Sequence, residues 1–233
     1  MEKRFTREYL FAENMLKIKQ LQGNGDFRSA ECIEYLKQAD VVVTNPPFSL
    51  FREYVAQLME YGKKFIIIGN GNAVTYKEIF PLIKNNEIWM GASKGIGGKF
   101  VFKAPKEYEG KFVSVVNGVN LAQVNNACWF TNVEHKKRNE YLDLYKHYNE
   151  KDFPKYDNYD AIDSRTDEIP MDYNGVIGVP ITFLDKYNPK QFEIIGHEHD
   201  LRGTGNSESL SGFKVNGKEV YKRILIRRKY VEN

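Results

Sequence analysis

The sequence predicts an α/β fold with a parallel sheet, and three neighbouring segments carry this prediction. Residues 40–44 form a β-branched run without alternation, which is typical of a strand buried on both faces. Residues 50–62 place apolar side chains at helical spacing, with Ser49 as the expected N-cap and Gly62 as the end. Residues 63–69 form a second apolar strand. A strand, helix and strand in this order predict a right-handed βαβ unit.

Further elements are expected on both sides of this unit. Helical patterns cover residues 29–39, behind a possible cap at Ser29, and residues 76–84, and a short strand covers 87–90. Paired strands are expected after residue 99, followed by a charged helix over about 134–148. The strand segments are 100–102, 112–116 and 127–131.

The last third of the chain reads as β-rich. Residues 149–174 are rich in Asp, Tyr and Pro and predict a long loop. Strands are expected over 179–184 and 192–196, and Asn216-Gly217 predicts a hairpin with a type I′ turn. We therefore expect a core domain over residues 1–148 and a β-rich C-terminal segment over 149–233.

Composition excludes several functional classes. The 233 residues are 42% hydrophobic, enough for a core, but no long uncharged apolar run predicts a membrane span. Residues 1–5 lack the apolar stretch of a signal peptide, so a cytoplasmic location is expected. Cys32 and Cys128 are too few for a disulfide framework or a zinc site, and we expect reduced thiols and no metal. A net charge of +3 does not decide whether one face binds nucleic acid.

The tetrapeptide Asn45-Pro46-Pro47-Phe48 is the feature that indicates chemistry. It follows a predicted parallel strand, and ligands of open α/β sheets bind outside the carboxyl ends of such strands. The Asn45 side-chain oxygen and the Pro46 carbonyl could both accept hydrogen bonds from an exocyclic amino group. These acceptors would stabilise the positive charge that develops while the nitrogen attacks a sulfonium methyl group. Pro47 helps to fix the backbone, and Phe48 would stack on a base flipped out of the helix.

The tetrapeptide alone leaves alternatives open. Asn-Pro-Pro is also a common turn sequence, and similar tetrapeptides serve enzymes that methylate adenine, guanine in RNA or a glutamine amide in proteins. The strand before it and the helix after it are the context that the catalytic interpretation requires.

A wider resemblance narrows these alternatives. Residues 25–29, 31–34 and 38–54 closely resemble the EcoRI-type adenine-specific DNA methyltransferases, and so do residues 63–70, 127–132 and 178–189. The resemblance extends over nearly all of the chain from Gly25. It implies a Rossmann-like core, S-adenosylmethionine as methyl donor and the adenine 6-amino group as acceptor. By position Asp26 matches the acidic residue that reaches the adenine of the cofactor, and with Phe27 and Asn45 it is a candidate cofactor-binding residue. Asp26 could instead be an ordinary turn aspartate.

One departure from the family pattern concerns residues 1–24. Family members have a first strand there and a glycine-rich loop of the Phe-x-Gly-x-Gly kind, which holds the methionine end of the cofactor. No such loop occurs in residues 1–24, so the core is expected to be incomplete at its N-terminus. Residues 40–44 would then form an exposed sheet edge that seeks a complementary N-terminal fragment or a second copy of the chain, or that residues 1–20 of the chain itself cover.

Four other signals have competing interpretations. Residues 95–100 resemble a phosphate loop but lack its first Gly and its final Ser or Thr, which favours a flexible loop. His197 and His199 are interpreted as polar surface residues rather than metal ligands. The basic residues of 222–229 could contact phosphates or protect an edge strand. Phe130 is a weak candidate for the wall of a target pocket.

The sequence thus predicts a DNA adenine methyltransferase of the restriction-modification or phage type, with residues 149–233 as a candidate target-recognition region. One alternative is a non-catalytic DNA-binding or partner-binding remnant of such an enzyme. Another is a methyltransferase that acts on RNA or on a protein amide.

Overall fold

A computed structural model describes residues 21–93, 95–105, 107–108, 112–197 and 212–229. The chain divides into two units, Met1–Asp40 and Val41–Asn233. In the described part of the first unit, helix α1 spans Ala30–Gln38. The Ser29 hydroxyl accepts a hydrogen bond from the Cys32 backbone N–H at 3.2 Å. The predicted helix and its cap are therefore both confirmed.

The predicted βαβ unit is present at the start of the second unit. Strand β1 spans Val41–Thr44, helix α2 spans Phe51–Glu60 and strand β2 spans Lys64–Asn70. The two strands are parallel, with Thr44 opposite Ile67. Ser49 does not cap the helix, because it lies inside a 3-10 turn over Phe48–Leu50 that leads directly into α2.

Strand β1 is exposed, contrary to the expectation of a strand buried on both faces. Val41 and Val43 point to one face and are 48% and 66% exposed. Among the described residues, β1 pairs only with β2. By contrast, Phe65 and Ile67 of β2 are fully buried. The edge predicted for residues 40–44 is therefore found in the described structure, and it has an open apolar face.

The first sheet has four strands in the order β1-β2-β7-β3. Strand β7 spans Ala127–Thr131 and runs antiparallel to β2 and to β3, which spans Trp89–Met90. Helix α3 spans Phe80–Lys84, shorter than the helix expected over residues 76–84. Strand β7 inserts between elements that precede it by more than 35 residues, a long-range pairing that local sequence patterns do not specify.

Two further sheets and a hairpin complete the described fold. Three antiparallel strands form a sheet in the order β4-β6-β5, and a four-stranded sheet has the order β10-β13-β9-β8. The hairpin β11–β12 turns at Asn216 and Gly217, whose φ angles of 51° and 74° confirm the predicted type I′ turn. The bounds are β4 Lys99–Lys103, β5 Val113–Val116, β6 Val119–Asn125, β8 Ile162–Asp163, β9 Ile177–Pro180, β10 Phe192–His197, β11 Phe213–Val215, β12 Lys218–Val220 and β13 Arg223–Arg228.

Two sequence predictions are wrong in this part of the chain. The charged helix expected over residues 134–148 is only a 3-10 turn over Lys136–Asn139. Tertiary contacts replace the helix: the Leu142 N–H and C=O both bond to the Gln191 side-chain amide, at 2.8 and 2.7 Å. The strand expected over residues 179–184 ends at Pro180, and a 3-10 helix over Ile181–Lys186 follows.

None of the helices in the described ranges combines the length and the apolar character needed to cross a bilayer.

Candidate active site

The tetrapeptide lies where the sequence predicts it, immediately after β1 at the carboxyl edge of the first sheet. Pro46 is buried, whereas Asn45 and Pro47 are exposed and Phe48 is 39% exposed. The Pro47 carbonyl accepts a hydrogen bond from the Leu50 N–H at 3.0 Å, which fixes the turn into α2. A buried proline thus anchors a turn whose asparagine amide and aromatic ring remain accessible to a ligand.

The end of β2 adds a second polar turn at the same edge, because parallel strands end on the same side. The Asn70 side-chain oxygen accepts hydrogen bonds from the Asn72 N–H at 2.9 Å and from the Asn126 amide at 3.2 Å. The Gly71 N–H donates to the Asn126 carbonyl at 2.7 Å, and any side chain at Gly71 would collide with Asn126. Sequence analysis missed these residues, although Gly-Asn-Gly-Asn after an apolar strand is a turn signal.

Arg52, in the first turn of α2, connects the tetrapeptide to the segment that follows β2. Its guanidinium lies 5.3 Å from the centre of the Tyr76 ring and 3.8 Å from the Glu78 carboxylate. The carboxyl edge therefore carries a cation and a second aromatic ring in addition to Phe48.

Below this edge the sheet and helix pack through aromatic rings. Phe51 of α2 and Phe130 of β7 are buried, with ring centroids 4.9 Å apart. Gly69 lies against both rings, and a side chain there would overlap them. Phe130 is therefore a core residue, and its interpretation as the wall of a target pocket is wrong.

Asp26 and Phe27 belong to the first unit. Arg28 donates to Asp26 through its backbone N–H at 2.9 Å, its Nε at 3.0 Å and its Nη2 at 2.8 Å. Hydrogen bonds from Arg28 lower the pKa of Asp26 to about 2, so the carboxylate is ionised at neutral pH. The Arg28 guanidinium also lies 5.3 Å from the centre of the Phe27 ring. An ionised acceptor beside an aromatic ring suits the adenine of a cofactor, but it also suits a closed local turn.

Residues 95–98 form a loop that holds a carboxylate rather than a phosphate. The Ile96 N–H donates to both oxygens of Asp185, at 3.0 and 2.8 Å. Burial raises the pKa of Asp185. An acidic side chain occupies the position that a phosphate-binding loop would keep for its ligand, which agrees with the rejection of that motif.

The histidine prediction is partly wrong. His197 is buried at the end of β10, with its ring centroid 5.5 Å from that of Phe80, so it is not a polar surface residue. His199 lies outside the described residues. Within the described ranges, no three His, Cys, Asp or Glu side chains are grouped as a metal site would require.

The two interpretations of the basic cluster of residues 222–229 have different outcomes: protection of an edge strand is wrong, and contact with phosphates stays a prediction. Strand β13 lies between β10 and β9, so the idea of a protected edge strand is wrong. The Arg223 Nε donates to the Asp163 carboxylate at 2.8 Å, and the Tyr156 hydroxyl donates to the same oxygen at 2.5 Å. Burial, and then its hydrogen bond to Asp163, raise the pKa of Tyr156. Arg223 is thus held in an internal polar network.

Fold and site together define a class: a mixed α/β protein whose parallel βαβ unit presents Asn45 and Phe48 at the carboxyl end of its first strand. Comparison with known proteins agrees with this class. The family model described as "Adenine-specific methyltransferase EcoRI" matches residues 6–229. The chain therefore belongs to the EcoRI family of adenine-specific methyltransferases.

Individual relatives support this membership. The chain is 48% identical to the type II methyltransferase M.EcoRI of Escherichia coli over 93% of its own length and 66% of that protein. It is 37% identical to the type II methyltransferase M.MgeORF184P of Mycoplasma genitalium, over 96% of this chain and 75% of that one. It is also 38% identical to M.MpnI of Mycoplasma pneumoniae, over 92% and 72%. No solved structure matches the chain significantly.

Proposed function

We propose that this chain carries the catalytic part of a restriction-modification-type enzyme that transfers a methyl group from S-adenosylmethionine to the 6-amino group of adenine in DNA. One observation carries the proposal: Asn45 and Phe48 are exposed beside a buried Pro46 at the carboxyl end of β1, which pairs in parallel with β2 in a mixed sheet. We further propose residues 1–148 as the core and 149–233 as the region that recognises DNA. The cytoplasmic location stays a prediction.

The residues of the tetrapeptide have separate tasks in this reaction. The side-chain oxygen of Asn45 and the carbonyl of Pro46 accept hydrogen bonds from the adenine amino group and stabilise its developing positive charge. Phe48 stacks on the extruded base. S-adenosylmethionine supplies the electrophilic methyl group when it is bound, and Asp26, Phe27 and Asn45 are the residues proposed to hold it. Most of the rate enhancement would come from position and electrostatics.

A methyl-transfer assay with a tritiated donor tests this function. The chain is offered DNA, RNA and protein in parallel, alone and together with the N-terminal part of a relative. Label found in 6-methyladenine of DNA supports the proposal, whereas label in RNA or protein amides favours the alternative substrate. If DNA binds but no substrate is labelled in either preparation, the chain is a non-catalytic binding module.

Phe48→Ala is expected to weaken capture of the flipped base. The ring is 39% exposed and so accessible to a base, and stacking on a base contributes about 1–3 kcal/mol. The measurement is the fluorescence of 2-aminopurine at the target position, which rises when the base leaves the duplex. We expect a smaller rise with Phe48→Ala and no change with Phe112→Ala, an exposed phenylalanine beside the separate three-stranded sheet. An equal rise in both variants would mean that Phe48 does not hold the base.

We also propose that the first sheet is one part of a Rossmann-like sheet and continues beyond β1. The support is that β1 lies at the end of its sheet and, among the described residues, pairs only with β2; Val41 and Val43 also leave one of its apolar faces open. A strand edge has unpaired N–H and C=O groups that pair readily with another strand. A complementary N-terminal fragment or a second copy of the chain would supply that strand. The fragment would also supply the glycine-rich loop for the cofactor.

The 233-residue chain alone is therefore expected to bind S-adenosylmethionine weakly or not at all in calorimetric titration. Addition of the N-terminal part of a relative should produce binding, and light scattering should show whether the chain pairs with itself. Val43→Lys should reduce this gain by charging the exposed edge, whereas Val101→Lys, at an exposed position of β4, should not. A micromolar dissociation constant for the chain alone would show that its own residues build the cofactor site.

A further inference from the structure

The turn between β12 and β13 displays an aromatic ring and a cation together. Tyr221 is 76% exposed, and the Lys222 Nζ lies 5.3 Å from the centre of its ring. Lys222 has a φ angle of +41°, in the left-handed region that residues other than glycine rarely adopt. A bulky residue in this conformation costs free energy, and such residues are concentrated at functional sites.

Two hydrogen bonds hold the backbone of this turn in place. The Arg223 guanidinium donates to the Tyr221 carbonyl at 3.0 Å while it is bound to Asp163. The Lys222 carbonyl accepts a hydrogen bond from the Ile181 N–H at 3.1 Å. The backbone of the turn is thus fixed by the guanidinium of a mostly buried ion pair and by the first residue of the 3-10 helix after β9, whereas the Tyr221 ring itself is largely in solvent.

The Lys222 side chain connects this turn to the candidate active site through Asn72. Its Nζ lies 3.1 Å from the side-chain oxygen of Asn72, whose N–H in turn donates to Asn70 at the end of β2. Asn70 lies at the same carboxyl edge as Asn45. The turn between β12 and β13 therefore contacts, through Lys222, the loop that follows β2 at the edge where the tetrapeptide lies.

We infer that Tyr221 and Lys222 form a DNA contact of this protein, in which the ring stacks on a base unstacked next to the flipped adenine and the ammonium binds the neighbouring phosphate. An exposed aromatic residue beside a lysine is the combination that binds unstacked nucleic acid, through stacking and charge. This inference rests on the proposed function, because it requires DNA as the substrate. It assigns a direct role in DNA binding to the segment between β12 and β13.

The test measures DNA binding by fluorescence anisotropy with the full chain. The probes are a short duplex and the same duplex with one mismatched adenine, for which extrusion of the base costs less. Tyr221→Ala should weaken binding to the mismatched duplex about 5- to 150-fold, with a smaller loss on the matched duplex. Lys222→Gly should lower the slope of log K against log salt concentration by about one on both duplexes.

A second tyrosine–lysine pair in the chain provides the matched control. Tyr145 is 63% exposed, and the Lys146 Nζ lies 5.9 Å from the centre of its ring. Tyr145→Ala and Lys146→Gly should leave both affinities and the salt slope unchanged. If Lys222 only tethers Asn72, Lys222→Gly shifts the unfolding midpoint but leaves the salt slope intact, and that result overturns the inference.

The remaining outcomes separate this inference from the proposed function. If the unaltered chain binds DNA and Tyr221→Ala binds it within about twofold, like Tyr145→Ala, the stacking contact does not exist but the proposed function stands. If the unaltered chain does not bind DNA on either probe, the proposed function fails and this inference fails with it. If Tyr221→Ala weakens binding selectively on the mismatched duplex, that result supports both the proposed function and this inference.

Discussion

The substitution Asn45→Ala is expected to lower the rate of methyl transfer about a hundredfold or more, with little effect on folding or DNA binding. The expected loss follows from the role of Asn45 as a fixed acceptor aimed at a charge that develops only in the transition state; loss of one such preorganised group costs about this factor. Asn45 is exposed and the turn is anchored by Pro46, so the fold should tolerate alanine. The rate is measured with a tritiated methyl donor in whichever preparation of the chain is active.

Asn125→Ala is the control, because Asn125 is another exposed asparagine and lies in the separate three-stranded sheet. Its rate should match that of the unaltered chain. Circular dichroism and DNA binding should be the same for both variants. Activity of Asn45→Ala within a few-fold of the unaltered chain would remove Asn45 from the catalytic machinery.

Local patterns predicted the elements next to the tetrapeptide because these depend on short-range interactions. A β-branched run, two prolines and a helical apolar stripe specify β1, the turn and α2 almost by themselves. The Asn216-Gly217 hairpin was predictable for the same reason, since positive φ angles at both positions select these residues.

The burial of a strand and its pairing with distant segments could not be predicted from local sequence patterns. The apolar run of β1 suggested two covered faces, yet the described structure leaves one of them open, because burial depends on what packs against a strand. The charged segment after β7 was expected to be helical, but contacts such as those of Leu142 with Gln191 take up backbone groups that a helix would pair internally. Tertiary interactions override helix propensity, because the propensities of ordinary residues differ by less than about 1 kcal/mol.

In the candidate site, too, contiguous residues were predictable and residues brought together by the fold were not. The tetrapeptide was predictable because its four residues are contiguous and each has a chemical task. Asn70 and Asn126 were missed, because their pairing connects residues 56 positions apart. Tyr221 was not singled out either, since only the fold shows that the turn beside it reaches Asn72.

Asp163→Ala is expected to destabilise the chain by about 3–5 kcal/mol, the usual cost of leaving one partner of a buried ion pair unpaired. Asp163 accepts hydrogen bonds from both Arg223 and Tyr156, and without it the Arg223 guanidinium would keep its charge with no carboxylate to balance it. The free energy of unfolding is measured by urea titration followed by circular dichroism. Arg223 also holds the Tyr221 carbonyl, so DNA binding should weaken together with stability.

Two further variants show whether the unpaired charge is the cause. Replacement of both partners, Asp163→Leu with Arg223→Met, should recover much of the lost stability, because no charge is then buried without a partner. Asp167→Ala breaks the exposed ion pair with Arg165 and should cost less than about 1 kcal/mol. If the double variant were as unstable as Asp163→Ala, the packing of the side chains rather than the charge would stabilise this end of β13. If the double variant is instead as stable as expected, it also separates the two roles of Arg223. It restores the stability of the fold but lacks the guanidinium that binds the Tyr221 carbonyl.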